Sequence, residues 1–377
     1  MRIIHIVESL DYGGLERMVV DMVRQQRNLG FTCKVISLFH AGIMAKNLEA
    51  LDVEVTALNK INAQSKFKLL KQLREQIKVH DTDIIHTHNP TSHYYATVAS
   101  IGLNYKVLIN TRHGLGSRFA LTTKIKHIKR EIFYRLTFPF SHYLVAVSYA
   151  SYNELIKRNI FRKKRSSVIY NGIFTADFQK VSENARKDLL EHFNLKHGDF
   201  IFGIVSRIST VKNHNFLIKV FHQLKQVKEN VKLIIVGDGD PDLVDSLRQS
   251  INQHGLTDCV HMLGARSDIN IILSTFDCFI LPSKVEGCSI ALLEAAATGL
   301  PIIASEVGGN MDIIENRENG LLFPVNDSTA CLEAMMNIMC DPEYAAKLGR
   351  NARTWVEENA TVERMVENYN QLYQSNF

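Results

Sequence analysis

The chain has 377 residues, 46% of them hydrophobic and 22% charged, with a formal net charge of +5. That length exceeds what one core organises, so two domains are expected, and the composition argues against disorder and a disulfide framework. No apolar run reaches the ~20 residues that a membrane span needs, and so mild a charge gives no reason to expect a nucleic-acid partner.

The opening MRIIHIVESL is too short and too soon interrupted to read as a signal peptide, so a cytoplasmic protein is expected. The cysteines (Cys33, Cys259, Cys278, Cys288, Cys331 and Cys340) show no C-x-x-C spacing and read as reduced, buried thiols. Arg2 to Val7 reads as a buried first strand. Glu8 to Gly14 is a loop with the pair Gly13-Gly14, and a helix follows from Leu15 with Met18, Val19, Met22 and Val23 on one face. Strand, glycine loop and helix open a nucleotide-binding-like layer, without the G-x-G-x-x-G of dinucleotide folds. Strand-like runs then alternate with helical ones: Thr32 to Leu38, Val53 to Leu58, Ile84 to His86, Lys106 to Asn110, Tyr143 to Val147 and Ser167 to Ile169. That alternation predicts a mostly parallel, helix-covered sheet.

Asp81-Thr82-Asp83 precedes a strand and reads as a turn rather than a metal site. His86 and His88 end that strand and suggest a polar cleft wall, with no third metal ligand evident beside them. His113, in Thr111-Arg112-His113-Gly114, follows the strand Val107 to Ile109, and active-site groups collect at such strand ends. From Arg118 to Phe140, Lys124, Lys126, Lys129 and Arg130 are interleaved with Leu121, Ile125, Ile128, Ile132, Phe133 and Leu136 at near-helical spacing. Two readings stay open: a helix lying on an anionic membrane surface, or a solvated helix whose apolar face covers the sheet. Lys66, Lys68, Lys71 and Arg74 form a second basic segment. Phe174 to Gly198 is polar with one helix, Glu183 to Phe193, and reads as the linker.

Phe200 to Val205 starts the second half as an apolar strand, followed by Arg207 and Lys212. Gly237-Asp238-Gly239-Asp240 follows the strand Lys232 to Val236 and reads as a loop without metal. Gly264-Ala265-Arg266-Ser267 follows Val260 to Leu263. Cys278 to Leu281, a polar loop from Ser283 to Ser289, a helix from Ile290 to Thr298 and a strand from Ile302 to Ala304 form a βαβ unit. Glu286 and Glu294 lie eight apart in it, and its loop amides at a helix N-terminus suit oxygens or anions. From Thr329 the pattern is helical, ending in Thr361 to Tyr373 with Val362, Met365, Val366, Tyr369 and Leu372 on one face.

The ordered set GGLE, HG, YNGI, SR-x4-K, VGDG, E-x7-E and VGG resembles the retaining nucleotide-sugar glycosyltransferases of family 4, across nearly the whole chain. The resemblance implies the α/β GT-B fold, two Rossmann-like domains with a cleft between them. Residues 1–172, joined by a C-terminal helix at 358–377, would form the acceptor-side domain, and residues 173–357 the nucleotide-sugar domain. It implies transfer of a hexose from a nucleoside-diphosphate sugar to an acceptor hydroxyl, with a UDP-sugar favoured over a GDP-sugar. No metal and no cofactor beyond that co-substrate are implied. Gly13 and Gly14 would approach the donor phosphates, Arg207 and Lys212 hold them, and Arg266 lie beside the base. Glu286 with the amides of Gly287, Cys288 and Ser289 would hold the hexose, Glu294 the ribose, and His113 would contact the transferred sugar. His113, Arg207, Lys212 and Glu286 are thus the expected catalytic set. Lys124, Lys126, Lys129 and Arg130 are the expected membrane or acceptor contacts.

The chain departs from the family pattern at Asp312, where a glutamate is usual, at Cys288, where an aromatic residue is frequent, and at Ser289, where glycine or proline is frequent. The last two touch the donor-sugar loop and leave the sugar open. A glycan or lipid-linked acceptor is expected, in cell-surface polysaccharide or lipopolysaccharide synthesis, with a peripheral position on the cytoplasmic face of the inner membrane. Three alternatives stand beside this reading: a nucleotide-sugar epimerase, a soluble disaccharide synthase or phosphorylase of the same fold, and a non-catalytic partner subunit.

Overall fold

Strands of a parallel sheet that is covered on both faces read as continuous apolar runs, and the observed strands follow that rule. In the computed structural model, which describes residues 1–11, 13–59, 66–114, 132, 135–160, 162–193 and 195–375, the first sheet is seven-stranded. Its strands are β1 (Arg2–Val7), β2 (Thr32–Ser37), β3 (Glu54–Ala57), β4 (Ile84–His88), β5 (Val107–Arg112), β6 (Tyr143–Ala146) and β7 (Ser166–Val168). They run parallel in the order β3-β2-β1-β4-β5-β6-β7. Ile4, Ile6, Ile36, Ile85 and Leu108 pack on Leu69, Leu73 and Ile77 of the helix Lys66–Val79 and on Tyr95, Ala96 and Ala99 of the helix Asn89–Ala99. The basic stretch that carries Lys124, Lys126, Lys129 and Arg130 lies outside the described residues.

The second sheet has six parallel strands: β8 (Phe200–Val205), β9 (Val231–Val236), β10 (Val260–Gly264), β11 (Cys278–Leu281), β12 (Ile302–Ser305) and β13 (Leu321–Phe323). Their order is β10-β9-β8-β11-β12-β13. Its core joins Phe202, Ile204, Leu233, Ile235, Ile280 and Ile303 to Leu217 and Phe221 of the helix His214–Val227 and Met335 of the helix Ser328–Cys340. With a parallel helix-covered sheet in each unit, the chain has the GT-B fold of two Rossmann-like domains. The chain divides into two compact units, Met1–Gly172 with Val362–Phe377, and Ile173–Thr361.

Several expectations need correcting. The polar stretch read as a linker is a packed part of the second unit. Leu190 of its helix Glu183–His192 is buried, and Arg186 holds Asp277 at 2.8 Å and the Thr275 carbonyl at 3.1 Å. The C-terminal helix Val362–Gln374 buries Tyr373 where Leu372 was expected, along with Val362, Met365, Val366 and Tyr369. A full 3.6-residue repeat carries the stripe on from Tyr369 to Tyr373. Cys340 is exposed, whereas the other five cysteines are buried; all six are free thiols. Among the described residues, no helix is long and apolar enough to cross a membrane.

Candidate active site

Each sheet reverses its winding once, between β1 and β4 and between β8 and β11. At such a point the loops leaving neighbouring strands diverge and open a crevice at the strand C-termini, where ligands of α/β sheets bind.

In the second unit the loops after β8 and β11 are stitched together. The Lys284 amide donates to the Val211 carbonyl at 2.8 Å. Lys212 Nζ donates to Glu286 Oε1 at 2.5 Å, and Ser283 Oγ donates to the same oxygen at 2.6 Å. Glu286 is only 8% exposed. Burying a carboxylate that far from water is costly unless a cation and hydrogen bonds meet it, and Glu286 has both. Lys212 keeps further N–H donors for a ligand, since an ammonium carries three. Arg207, on the same loop, is exposed at the strand end. Its neighbour Ile208 is buried, and the Ile208 amide donates to the Asp238 carbonyl at 2.9 Å.

The helix Ile290–Ala297 starts at Ser289, whose hydroxyl accepts from the Leu292 amide at 3.3 Å. This cap uses the Ser289 side chain and points the first-turn amides at the loop. Glu294 is buried on that helix, and Cys288 is buried before it. Behind the loop, the Gly309 amide donates to the Glu286 carbonyl at 3.2 Å. A Cβ built at Gly309 would stand 1.8 Å from the Gly287 carbonyl oxygen, so only glycine lets the VGG turn back the donor loop this closely. Arg266 is forked onto Asp268, Nε at 2.8 Å and Nη2 at 2.6 Å, and this pairing holds the Asp268 carboxyl below its usual range. Sequence reasoning assigns no role to Asp268, Ser283 or Gly309; the nearest signals are the V-x-x-L-G-x-x-x-D pattern that ends on Asp268, the polar loop that Ser283 opens and the VGG motif.

The first unit collects imidazoles at its reversal point. Gly13 caps the helix Gly14–Asn28 in extended backbone. The His113 amide donates to Asn89 Oδ1 at 3.2 Å, and His113 Nε2 lies 3.1 Å from His88 Nδ1. His86 and His88, expected along a cleft wall, are instead at most 1% exposed. β4 is a central strand, and the helix Asn89–Ala99 begins directly after it, which covers its end. A third histidine, His5, joins them, with one nitrogen of each within 4.8 Å of the others. The sequence signal was a lone histidine in the apolar β1. Desolvation lowers the His5 pKa to about 4 and the His113 pKa to about 3, and holds those of His86 and His88 well below the usual value. Asp81 sits at φ 49° and Asp83 accepts from the Arg2 amide at 2.9 Å, in keeping with a structural turn.

Two family models match: "Glycosyltransferase Family 4" over residues 12–177 and "Glycosyl transferases group 1" over residues 185–355. A UDP-Gal:alpha-D-GlcNAc-diphosphoundecaprenol alpha-1,3-galactosyltransferase of Escherichia coli is 28% identical over 330 residues, 84% of this chain and 82% of that protein. An N-acetyl-alpha-D-glucosaminyl L-malate synthase of Bacillus anthracis is 28% identical over 316 residues, 81% of this chain and 78% of that protein. Among solved structures, HepE of Anabaena in complex with UDP and glucose superposes with a TM-score of 0.87 at 23% identity, covering 100% of both chains.

Proposed function

The chain belongs to the family 4 glycosyltransferases of the group 1 type, a hexosyltransferase family, and from that premise we propose that it transfers a hexose from a UDP-sugar to a hydroxyl of a lipid-linked glycan, with retention of the anomeric configuration. The observation that carries the reading is the clamp of Lys212 and Ser283 on Glu286 at the reversal point of the second sheet. Support for the donor comes from the UDP held by the Anabaena neighbour. Support for the acceptor comes from the diphosphoundecaprenol substrate that the Escherichia coli relative's name gives.

In this reading Arg207 and Lys212 neutralise the departing diphosphate, the first by a two-pronged contact and the second as a point charge. Glu286 and the amides of Gly287, Cys288 and Ser289 orient the hexose, Glu294 takes the ribose hydroxyls, and Arg266 flanks the base. Gly13 and Gly14 allow close backbone approach to the phosphates, and His113 contacts the sugar. Glu286 already accepts two hydrogen bonds on one oxygen, which suits an orienting group better than a covalent nucleophile. Displacement on the front face follows. The acceptor oxygen bonds to the anomeric carbon, the bond from that carbon to the β-phosphate oxygen breaks, and the acceptor proton passes to that leaving oxygen. The diphosphate charge is met by protein cations, so the step runs without a metal.

The test is incubation with UDP-, GDP- and ADP-sugars and a synthetic polyprenyl-diphosphate-linked sugar, with EDTA present, and NMR of the product's anomeric signal. An axial product from an axial UDP-sugar is expected. An inverted product removes the front-face mechanism. Turnover of GDP- or ADP-sugars alone removes the UDP assignment.

A further inference from the structure

Four side chains of the first unit, the buried Gln26, His5 and His88 and the half-buried His113, form one hydrogen-bonded row. His5 Nε2 lies 2.8 Å from Gln26 Oε1, His5 Nδ1 lies 3.1 Å from His88 Nε2, and His88 Nδ1 lies 3.1 Å from His113 Nε2. The hydrogen-bonded imidazoles lie nearly coplanar, His5 and His88 with ring centroids 5.4 Å apart at 20° and His88 and His113 with centroids 5.3 Å apart at 28°. At the far end, His113 Nδ1 is buried and has no partner among the described residues.

This cluster contains the three nitrogens that a metal triad would need. Yet every ring nitrogen of His5, His86 and His88 already lies 2.7 to 3.1 Å from a hydrogen-bonding partner. His86 also lies nearly parallel to His88 with ring centroids 4.4 Å apart, whereas metal-bound imidazoles point their lone pairs at one centre. The arrangement is that of a relay.

A neutral imidazole has one N–H and one lone pair, so a row of them shares one direction, and one end sets it for all. Gln26 is that end. Its Oε1 also receives the Cys33 thiol at 3.5 Å, and its Nε2 donates to the Tyr373 hydroxyl at 3.4 Å. With the oxygen so placed, His5 donates through Nε2–H, His88 donates through Nε2–H to His5, and His113 donates through Nε2–H to His88. A second branch agrees. Tyr373, accepting from Gln26, donates to His86 Nδ1 at 2.7 Å, and His86 Nε2–H donates to Thr111 Oγ1 at 2.8 Å. The Thr111 hydroxyl pairs with Tyr369 at 2.8 Å. The opposite direction would leave His113 with a buried N–H and no acceptor among the described residues, the rarer and costlier kind of orphan.

We propose that Gln26 is a remote positioning residue, which through His5 and His88 holds His113 as its Nε2–H tautomer and so presents Nδ1 as a hydrogen-bond acceptor for a hydroxyl of the bound sugar. The sugar as donor rests on the function proposed above; the tautomer does not. Because desolvation keeps the His113 pKa near about 3, Nδ1 accepts a hydrogen bond without taking a proton.

The experiment is a long-range 1H–15N spectrum of the full chain labelled at histidine, read in the wild type first, so that no variant needs to fold. Nδ1 of His113 is expected to give the shift of an unprotonated nitrogen and Nε2 that of a protonated one. The reverse pattern, or an even mixture, overturns the relay. In Gln26→Met, nearly the same size but without the acceptor, the His113 signals are expected to move toward a tautomer mixture and kcat to fall about tenfold, as for about 1.4 kcal/mol of lost transition-state stabilisation. Gln26→Glu, which keeps an acceptor oxygen, restores the tautomer. An unchanged His113 tautomer in Gln26→Met overturns the role of Gln26. Addition of UDP-sugars is expected to shift Nδ1 alone. If UDP-sugars bind by thermal shift yet leave Nδ1 unmoved, the sugar-facing half of the proposal is overturned while the donor reading stands. If none binds, it is the donor reading that fails.

Discussion

The two reversal points solve the same problem in opposite ways. At the first, His5, His86 and His88 go fully inside as neutral groups, and every described hydrogen-bond partner of theirs is itself uncharged. In the second, charge is kept and held near the surface: Lys212 is 22% exposed at its side chain and clamps a buried Glu286. Burial of an isolated charge costs far more than burial of a hydrogen-bonded neutral group. A neutral row can therefore be deep and rigid, while a charged pair must stay where ligand or water can reach it. The first arrangement suits shaping and orienting; the second suits meeting a diphosphate.

Breaking the charged pair is expected to have the largest effect. Lys212→Met should lower turnover about 100- to 1,000-fold, the scale of losing one preorganised contact to developing charge. It also leaves Glu286 uncompensated, and stability should fall by roughly 1–3 kcal/mol, the cost of an unsatisfied buried group. Adding Glu286→Gln should restore most of the stability and none of the turnover, read by urea unfolding and by product formation. Recovery of turnover in the double variant would put the diphosphate contact elsewhere.

The neutral row should reveal itself through pH. Unfolded histidines take up protons near pH 6.5. Folded His5 and His113 do so only near about 4 and about 3, because burial disfavours the charged ring. Between those limits the unfolded state binds more protons, so stability is full above about pH 6.5 and is lost as pH falls toward 4. His86, His88 and His93 shift the same way. In the second unit His214, near about 4, and His261 are lowered by the same cause but stand outside any such row. Hydrogen exchange at pH 7.5 and pH 5 in mild urea should show the first unit opening first on acidification. Simultaneous opening of both units would remove the contrast.

The two regions were also unequally legible in the sequence. The donor loop is contiguous: strand, loop, capping Ser289 and helix fall within twenty residues, and the chemistry belongs to motifs that read along the chain. Glu286 and Lys212 lie 74 positions apart, but each sits in its own motif. The row in the first unit joins His5 to His88 across 83 positions and Gln26 to Tyr373 across 347, and a single histidine inside an apolar strand has no period to betray its partner. His86 and His88 were read as a cleft wall because a strand end is usually open. Here a helix starts at the next residue, and the strand is central. Tyr373 was missed because the apolar stripe was followed to Leu372, one step short of the helical repeat.

Smaller effects sharpen the picture of the charged region. Gly309→Ala places a methyl against the Gly287 carbonyl, so the donor loop must move. A loss of about 1–3 kcal/mol, as for overpacking, is expected, with a lower Tm and weaker UDP binding. An unchanged Tm would mean that the VGG turn does not support the loop.

The smallest expected effect is at Arg266. Its guanidinium is fixed by two contacts to Asp268, so it is already oriented before any nucleotide arrives. Arg266→Lys keeps the charge but loses the planar fork, and lysine cannot lie flat beside a base. UDP affinity by calorimetry should fall roughly two- to fivefold, the range of an exposed charged contact, with Tm unchanged. Asp268→Asn, which frees the arginine without removing it, should fall between the wild type and Arg266→Ala. If Arg266→Ala binds UDP as the wild type does, the base lies elsewhere, and the Asp268 fork serves only to close its own turn.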